Sequence, residues 1–233
     1  MFVIYHTENT MTRFPKTLRP ALLGLAIVTA LALKPGHAAA EESGVALLAG
    51  GCFWCVEADF EKVDGVSEAV SGFAGGDVEN PTYRQVVRGG TGHREVAEIR
   101  FDPAEIGYRE IVSLFLRSID LFDDGGQFCD RGFVYTPAIF ALNDRQREIA
   151  QEEIARAEEE LGREIAVPVE NKATFWPAEE YHQDYYKSDE RIAVSSVGLA
   201  VPKSVAYERY REGCRRDQRV RAVWGDDAPF VGG

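Results

Sequence analysis

The sequence predicts an α+β fold, a two-layer sandwich with a ferredoxin-like split βαβ core and an irregular C-terminal tail. Three observations predict it. Short apolar runs closed by glycines alternate with stretches of helical spacing, twice in the order strand, helix, strand. The chain has 233 residues, enough for one substantial core, and it contains no internal repeat or low-complexity tract. Its last sixty residues are aromatic and irregular in pattern, as expected of a segment that wraps a core built upstream.

Each element follows from its residues. "GVALLAG" is a short apolar run ending in glycines, which predicts a buried strand, and "CVEADFEKV" carries Val56, Phe60 and Val63 at helical spacing. "VSEAVSGFAGG" predicts a second strand running into a glycine-rich loop. "HREVAEIRFDP" alternates Ala97, Ile99 and Phe101 with Glu98 and Arg100, the period of a half-buried strand. A helix is predicted at about 108–121, a strand at about 134–142, and then a long helix opened by Asn143 or Asp144. Ile149, Ile154, Ala157 and Leu161 make its inner face, and its acidic remainder is a solvated face. The tail begins at about residue 173 and carries Cys214 toward another site.

Composition narrows the function. Apolar residues at 45% and charged residues at 27% are those of a globular protein, and a formal charge of −12 excludes nucleic acid and anionic membrane as partners, since both require basic patches. Residues 21–33, "ALLGLAIVTALAL", form a 13-residue apolar run after Arg13, Lys16 and Arg19 and before small residues ending at Ala40. That is the layout of a signal peptide over residues 1–40, and Met11 opens a cleaner basic region than Met1 does. The run is short for a hydrocarbon core of ~30 Å, so an exported protein, periplasmic or secreted and free of the membrane after cleavage, is expected; an uncleaved leader leaves it tethered. Residues 41–233 form the single mature domain.

The four cysteines are Cys52, Cys55, Cys129 and Cys214. Spread over so long a chain they do not make the framework of a small stapled domain. "GGCFWC" places Cys52 and Cys55 at a strand-to-helix turn, where backbone N–H groups favour a thiolate, so Cys52 is a candidate nucleophile. Gly50 and Gly51 permit a sharp bend and a close approach, and Phe53 and Trp54 offer an apolar wall. Taken alone, the hexapeptide also fits a thioredoxin-like redox centre working through Cys52 and Cys55, or half of a zinc site; the second half would need closely spaced donors, and Cys129, Cys214, His93 and His182 are isolated.

The rest of the chain separates these readings. "GCFWCVE", "GFAGGDVENPTYRQVVRGGTGHREVAEIRFDP", "QFCDRGFVYTPAIF", "YHQDYY" and "CRRDQRVRAVWG" occur in that order, and together they resemble the type A peptide methionine sulfoxide reductases over residues 45–225. The resemblance implies a reductase of methionine-S-sulfoxide, free or in proteins, with Cys52 as nucleophile and Phe53 and Trp54 as the pocket for the sulfoxide's methyl group. It implies Glu95 as the acid, Tyr83 and Tyr135 as phenols that hold the sulfoxide oxygen, and Asp130 as a supporting acidic group. Where the family commonly reads "QYRSAIF" this chain reads "VYTPAIF", so Thr136 and Pro137 replace an Arg-Ser pair.

Those residue types suit the chemistry. Reducing a sulfoxide takes a soft nucleophile on sulfur while oxygen gains protons, so a thiolate, a proton donor and oxygen-binding hydroxyls are needed. Glu95 serves as acid only if burial raises its pKa. Cys52 then becomes a sulfenic acid that condenses with a second thiol. Cys214 is expected to resolve it, with Cys55 and Cys129 as alternatives, and a thioredoxin-like dithiol is expected to reset the enzyme, a monomer without bound cofactor or metal. His93 and His182 are expected to be structural. A general thiol-disulfide oxidoreductase and a zinc-stabilised binding module are the competing functions.

Overall fold

The computed structural model describes residues 44–195 and 198–232, so the expected leader lies outside the described residues. The apolar run forms β1 (Val45–Ala49), buried beyond its first residue. Gly50 and Gly51 turn the chain directly into α1 (Phe53–Phe60), and Gly51 does so at φ +81°, a conformation that glycine adopts without cost. β2 (Val66–Ala74) and β3 (Arg94–Phe101) follow, joined by a loop that holds the short helix α2 (Tyr83–Val87). Thr82 caps α2 in a reciprocal capping box with Gln85. Next come α3 (Tyr108–Leu116), a two-residue hairpin of β4 (Gly126–Gln127) and β5 (Asp130–Arg131), β6 (Ala138–Phe140) and the long helix α4 (Asp144–Leu161). Asn143 caps α4 by accepting from the Gln146 N–H, and Gly162 ends it at φ 63°.

The main sheet runs β7-β6-β1-β3-β2-β8, with β7 (Val169–Glu170) and β8 (Trp176–Pro177) as edge strands. Its central four, β6-β1-β3-β2, are antiparallel neighbours throughout, which is the strand order of the predicted split βαβ core. Alternation along the strands divides the interior. Ala46, Leu48, Ala97, Ile99 and Phe101 face α1, α3 and α4, meeting Val56, Phe60, Ile111, Phe115 and Ile149. Leu47, Ala49, Ala74, Val96 and Phe140 face the other way and are covered by Ala173 and Phe175 of the tail.

Three expectations change. The helix predicted at 108–121 ends at Leu116, and the strand predicted at 134–142 shrinks to Ala138–Phe140 after a 3-10 turn at Phe133–Tyr135, because Pro137 has no N–H to give to a ladder. The C-terminal segment is not irregular throughout: after β9 (Arg191–Ser195) and β10 (Gly198–Pro202) it forms α5 (Lys203–Gly213) and α6 (Arg216–Trp224). Their inward faces carry Lys203, Arg211 and Arg216 beside Tyr207, Val220 and Trp224, so no apolar period marks them.

A Cβ at Gly51 lies 2.5 Å from the Gln127 Cβ and forces a left-handed backbone on an L residue. Gly51→Ala is therefore expected to destabilise the protein by roughly 2–5 kcal/mol in urea unfolding, backbone strain and overpacking together.

Candidate active site

The turn after β1 sets the two thiols. Cys52 is the N-cap of α1 and makes no side-chain cap bond, while Cys55 donates its backbone N–H to the Cys52 carbonyl at 3.1 Å. Cys52 is 7% exposed and Cys55 1%. Both are free, and the Cys52 S–H donates to the Cys55 sulfur.

Glu95 is the second residue of β3, on the helix side of the sheet, opposite Phe73 of β2. Its carboxyl accepts the Phe53 backbone N–H at 3.0 Å, which fixes an acid one residue from the nucleophile candidate. Tyr83 from α2 and Tyr135 from the 3-10 turn meet there, hydrogen-bonded to each other and half-buried against Phe53, Phe73 and Val86. Asp130 on β5 accepts the Tyr210 hydroxyl, so α5 holds that carboxylate. The sequence therefore names residues from five separate segments that the fold brings to one place.

Aromatic rings enclose it. Phe53 lies 5.8 Å from Phe73 and 6.2 Å from Tyr83 between ring centroids, and Trp54 stacks on Tyr185 at 3.8 Å and 10° with Tyr210 edge-on at 84°. His182 stands 4.3 Å from Tyr83 and 5.2 Å from Phe53. His93, by contrast, is a loop fastener: its Nδ1 accepts the Gly76 N–H and its Nε2 bonds the Val78 carbonyl at 2.8 Å.

Burial sets the protons. Desolvation, with help from Asp130, raises Glu95 to about 8 despite the Phe53 N–H, so it is protonated at neutral pH, as the sequence required of an acid. Burial and the neighbouring Glu95 and Asp130 push both Tyr83 and Tyr135 above the usual phenol range, keeping them donors. One expectation is corrected. Cys52 does not rest as the ionised thiol: desolvation first, then its hydrogen bond to Cys55 and the nearby acids, raise it well above a free thiol. The lowered thiol is Cys55, which accepts the Cys52 S–H and feels Arg216 and Arg211, effects that outweigh its burial.

Cys214 is the expected resolving thiol. It is joined in a disulfide to Cys129, with Cα atoms 5.1 Å apart, because α5 delivers it to the β4–β5 hairpin and not to Cys52. Cys129 is exposed and Cys214 half-buried. Among the described residues, the cluster with the spacing of metal ligands is Glu57, Glu61 and Asp184, and it includes neither Cys52 nor Cys55.

Residues 44–212 match the family model described as peptide methionine sulfoxide reductase. A peptide methionine sulfoxide reductase of Rhizobium meliloti is 48% identical over 202 residues, covering 87% of this chain and 93% of its own. This chain belongs to the peptide methionine sulfoxide reductase family. A reductase of Limosilactobacillus reuteri is 45% identical, covering 66% of this chain and 90% of its own. Among solved structures, the reduced form of Mxr1 from Saccharomyces cerevisiae has a TM-score of 0.58 at 27% identity, covering 68% of this chain and 89% of that one. The methionine sulfoxide reductase A of Corynebacterium diphtheriae has a TM-score of 0.56 at 26% identity, covering 68% of this chain and 82% of that one.

In this reductase the sequence reading missed four wall residues, Phe73, His182, Tyr185 and Tyr210. His182 and Tyr185 lie in the quoted "YHQDYY", but nothing local says that their rings face Trp54 and Phe53. Thr136, which replaces the family's arginine, is fastened by Arg94, whose Nε donates to its Oγ1 at 2.8 Å.

Glu95 also sets a pH signature of stability. Its folded pKa lies above 4.5, so its contribution is fully present below about 4.5 and is lost as pH rises toward 8, at roughly 1.4 kcal/mol per pH unit. Glu95→Gln removes that dependence. Urea unfolding at pH 5 and pH 7.5 is expected to show the variant gaining on the parent by on the order of 3 kcal/mol between the two; parallel pH curves overturn the assignment.

Proposed function

We propose that the protein reduces methionine-S-sulfoxide, free or within polypeptides, to methionine, using Cys52 as nucleophile and Glu95 as proton donor. The observation that carries this reading is the Phe53 N–H held by the Glu95 carboxyl, since it ties a neutral acid to the residue beside the thiol. Phe53 and Trp54 receive the methyl group, and Tyr83 and Tyr135 hydrogen-bond the sulfoxide oxygen, with Asp130 behind them.

The steps balance simply. The Cys52 sulfur bonds to the sulfoxide sulfur as its own proton and that of Glu95 pass to oxygen; the S–O bond breaks and water leaves, then water attacks the Cys52 sulfur, the bond to the methionine sulfur breaks with its electron pair going to methionine, and the proton that water gives up returns to Glu95, leaving Cys52 as sulfenic acid. Because the Cys52 pKa is raised, its proton leaves as substrate arrives. The sulfenic acid then condenses with a second thiol and releases water. Cys55 is placed for this step ahead of Cys214, being free and in hydrogen-bond contact with Cys52. The more accessible Cys129–Cys214 pair is suited to exchange with an external thioredoxin-like dithiol. Electrons thus come from thiols, and the reaction asks for no bound cofactor. We further propose a monomer that works in the periplasm once its leader is cleaved; N-terminal sequencing and sedimentation test these two points. No helix among the described residues is long and apolar enough to cross a membrane.

A general thiol-disulfide oxidoreductase built on Cys52 and Cys55 has no use for Glu95, Tyr83 or Tyr135. Cys52→Ser is expected to abolish methionine formation from the S epimer, and Tyr135→Phe to lower kcat/KM by about a hundredfold, roughly 3 kcal/mol of oxyanion stabilisation. Equal turnover of R and S sulfoxides, or insulin reduction as fast as sulfoxide reduction, overturns the reading. Thiol counting after one turnover decides the resolving residue: Cys55→Ser is expected to accumulate sulfenic acid at Cys52, whereas Cys214→Ser still loses two thiols.

A further inference from the structure

A cavity of about 310 Å³ lies beside the site, and the reaction as written does not use it. It opens on the face of the sheet that Ala173 covers, away from α1, with the Phe140 ring as its floor. Gly75 leaves that floor open, since a Cβ there would lie 3.0 Å from the ring. Phe133 forms one wall and is 52% exposed, the most exposed large apolar side chain among the described residues.

The charges in the walls do not cancel. Arg94 donates through Nε to the Thr136 Oγ1 at 2.8 Å and through Nη2 to the Glu170 carboxylate at 3.1 Å, and its guanidinium lies 4.5 Å from the centre of the Phe133 ring. That ion pair takes up the one carboxylate in the cavity wall. Lys172 is left over: it lines the same cavity, and no hydrogen bond or ion pair holds it among the described residues. A third cation stands behind. Arg147 gives its donors to the Val169 and Glu170 carbonyls and to the Asn171 side-chain oxygen, and it has no carboxylate partner among the described residues. On a chain of formal charge −12, an unbalanced ammonium at the edge of a cavity is a local site for an anion.

Contacts tie this cavity to the site. Arg94 precedes Glu95 on β3, and successive strand residues point to opposite faces, so the cavity and the acid share one strand end. Phe133 and Tyr135 belong to one 3-10 turn, and Arg94 fastens that turn through Thr136. A polypeptide whose methionine sulfoxide meets Tyr135 reaches the cavity by crossing this turn, and three residues of extended chain cover roughly 10 Å. Free methionine sulfoxide ends at its own ammonium and carboxylate and has nothing to send there.

We propose that the cavity is a subsite for polypeptide substrates, taking an aspartate or glutamate side chain about three residues from the methionine sulfoxide, with its carboxylate on Lys172 and its stem against Phe133. This rests on the reductase reading of the site.

Heptapeptides with methionine-S-sulfoxide at the centre, carrying Asp, Ala or Lys in turn at each flanking position, are compared with N-acetyl methionine-S-sulfoxide methylamide. At one flanking position Asp is expected to raise kcat/KM about three- to fivefold over Ala, through KM, with Lys below Ala, as befits a partly exposed ion pair. Raising salt from ~0.05 M to ~0.5 M is expected to close the gap. Lys172→Glu is expected to reverse the order at that position, so that the Lys peptide outruns the Asp peptide, while the small blocked substrate turns over as in the parent. Equal use of Asp and Lys peptides by the parent at every position overturns the proposal, and so does an Asp preference that survives Lys172→Glu. Failure of the parent to reduce the small blocked substrate defeats the reductase reading instead.

Discussion

The contact between the Phe53 N–H and the Glu95 carboxyl is the constraint on which the site depends. It joins the first turn of α1 to the start of β3, two segments that are neighbours only because β3 inserts between β1 and β2. The same contact takes up one of the N–H groups that every helix N-terminus leaves without an intrahelical partner. A carboxylate there would ordinarily be favoured by the helix dipole. Burial wins instead, and the acid stays neutral up to about pH 8, which leaves a protonated carboxyl at the helix cap.

Around that point the protein keeps acids and thiols in opposed environments. Burial, the hydrogen bond to Cys55 and the nearby Glu95 and Asp130 raise the pKa of the Cys52 thiol. The side holding Cys55 has Arg211 and Arg216. Two residues separate two sulfurs whose surroundings move their pKa values in opposite directions. The disulfide between Cys129 and Cys214 adds a third environment, the most accessible one, on an independent staple.

The tail does more than wrap. β8 lengthens the sheet beside β2, Tyr185 stacks on Trp54, Tyr210 holds Asp130, and Arg211 and Arg216 grip Asp59. Glu57, on α1, is tied to the tail through the Asp184 N–H and to β2 through the Ser71 hydroxyl, and its burial lifts it to about 7. The candidate site is therefore closed from behind by residues some 130 to 160 positions downstream of Cys52, which is why the described residues do not divide into a core and an appendage.

Much of this was legible in the amino-acid sequence. Periodicity in "GVALLAG", "HREVAEIRF" and the residues after Asn143 determined the strands, the long helix and the sheet's buried face, because burial of one side of a regular element imposes its repeat on the side chains. The ordered motifs determined the family and the residue types of the site, including Cys52, Glu95, Tyr83 and Tyr135. Helices α5 and α6 were not legible, since their inward stripe uses Lys203, Arg211 and Arg216, whose burial is made possible only by carboxylates and carbonyls far away in sequence. Nor could the sequence say which thiol has its pKa lowered or how Cys214 is paired. Those depend on desolvation and on distances between groups from different segments, and such quantities exist only once the chain has folded.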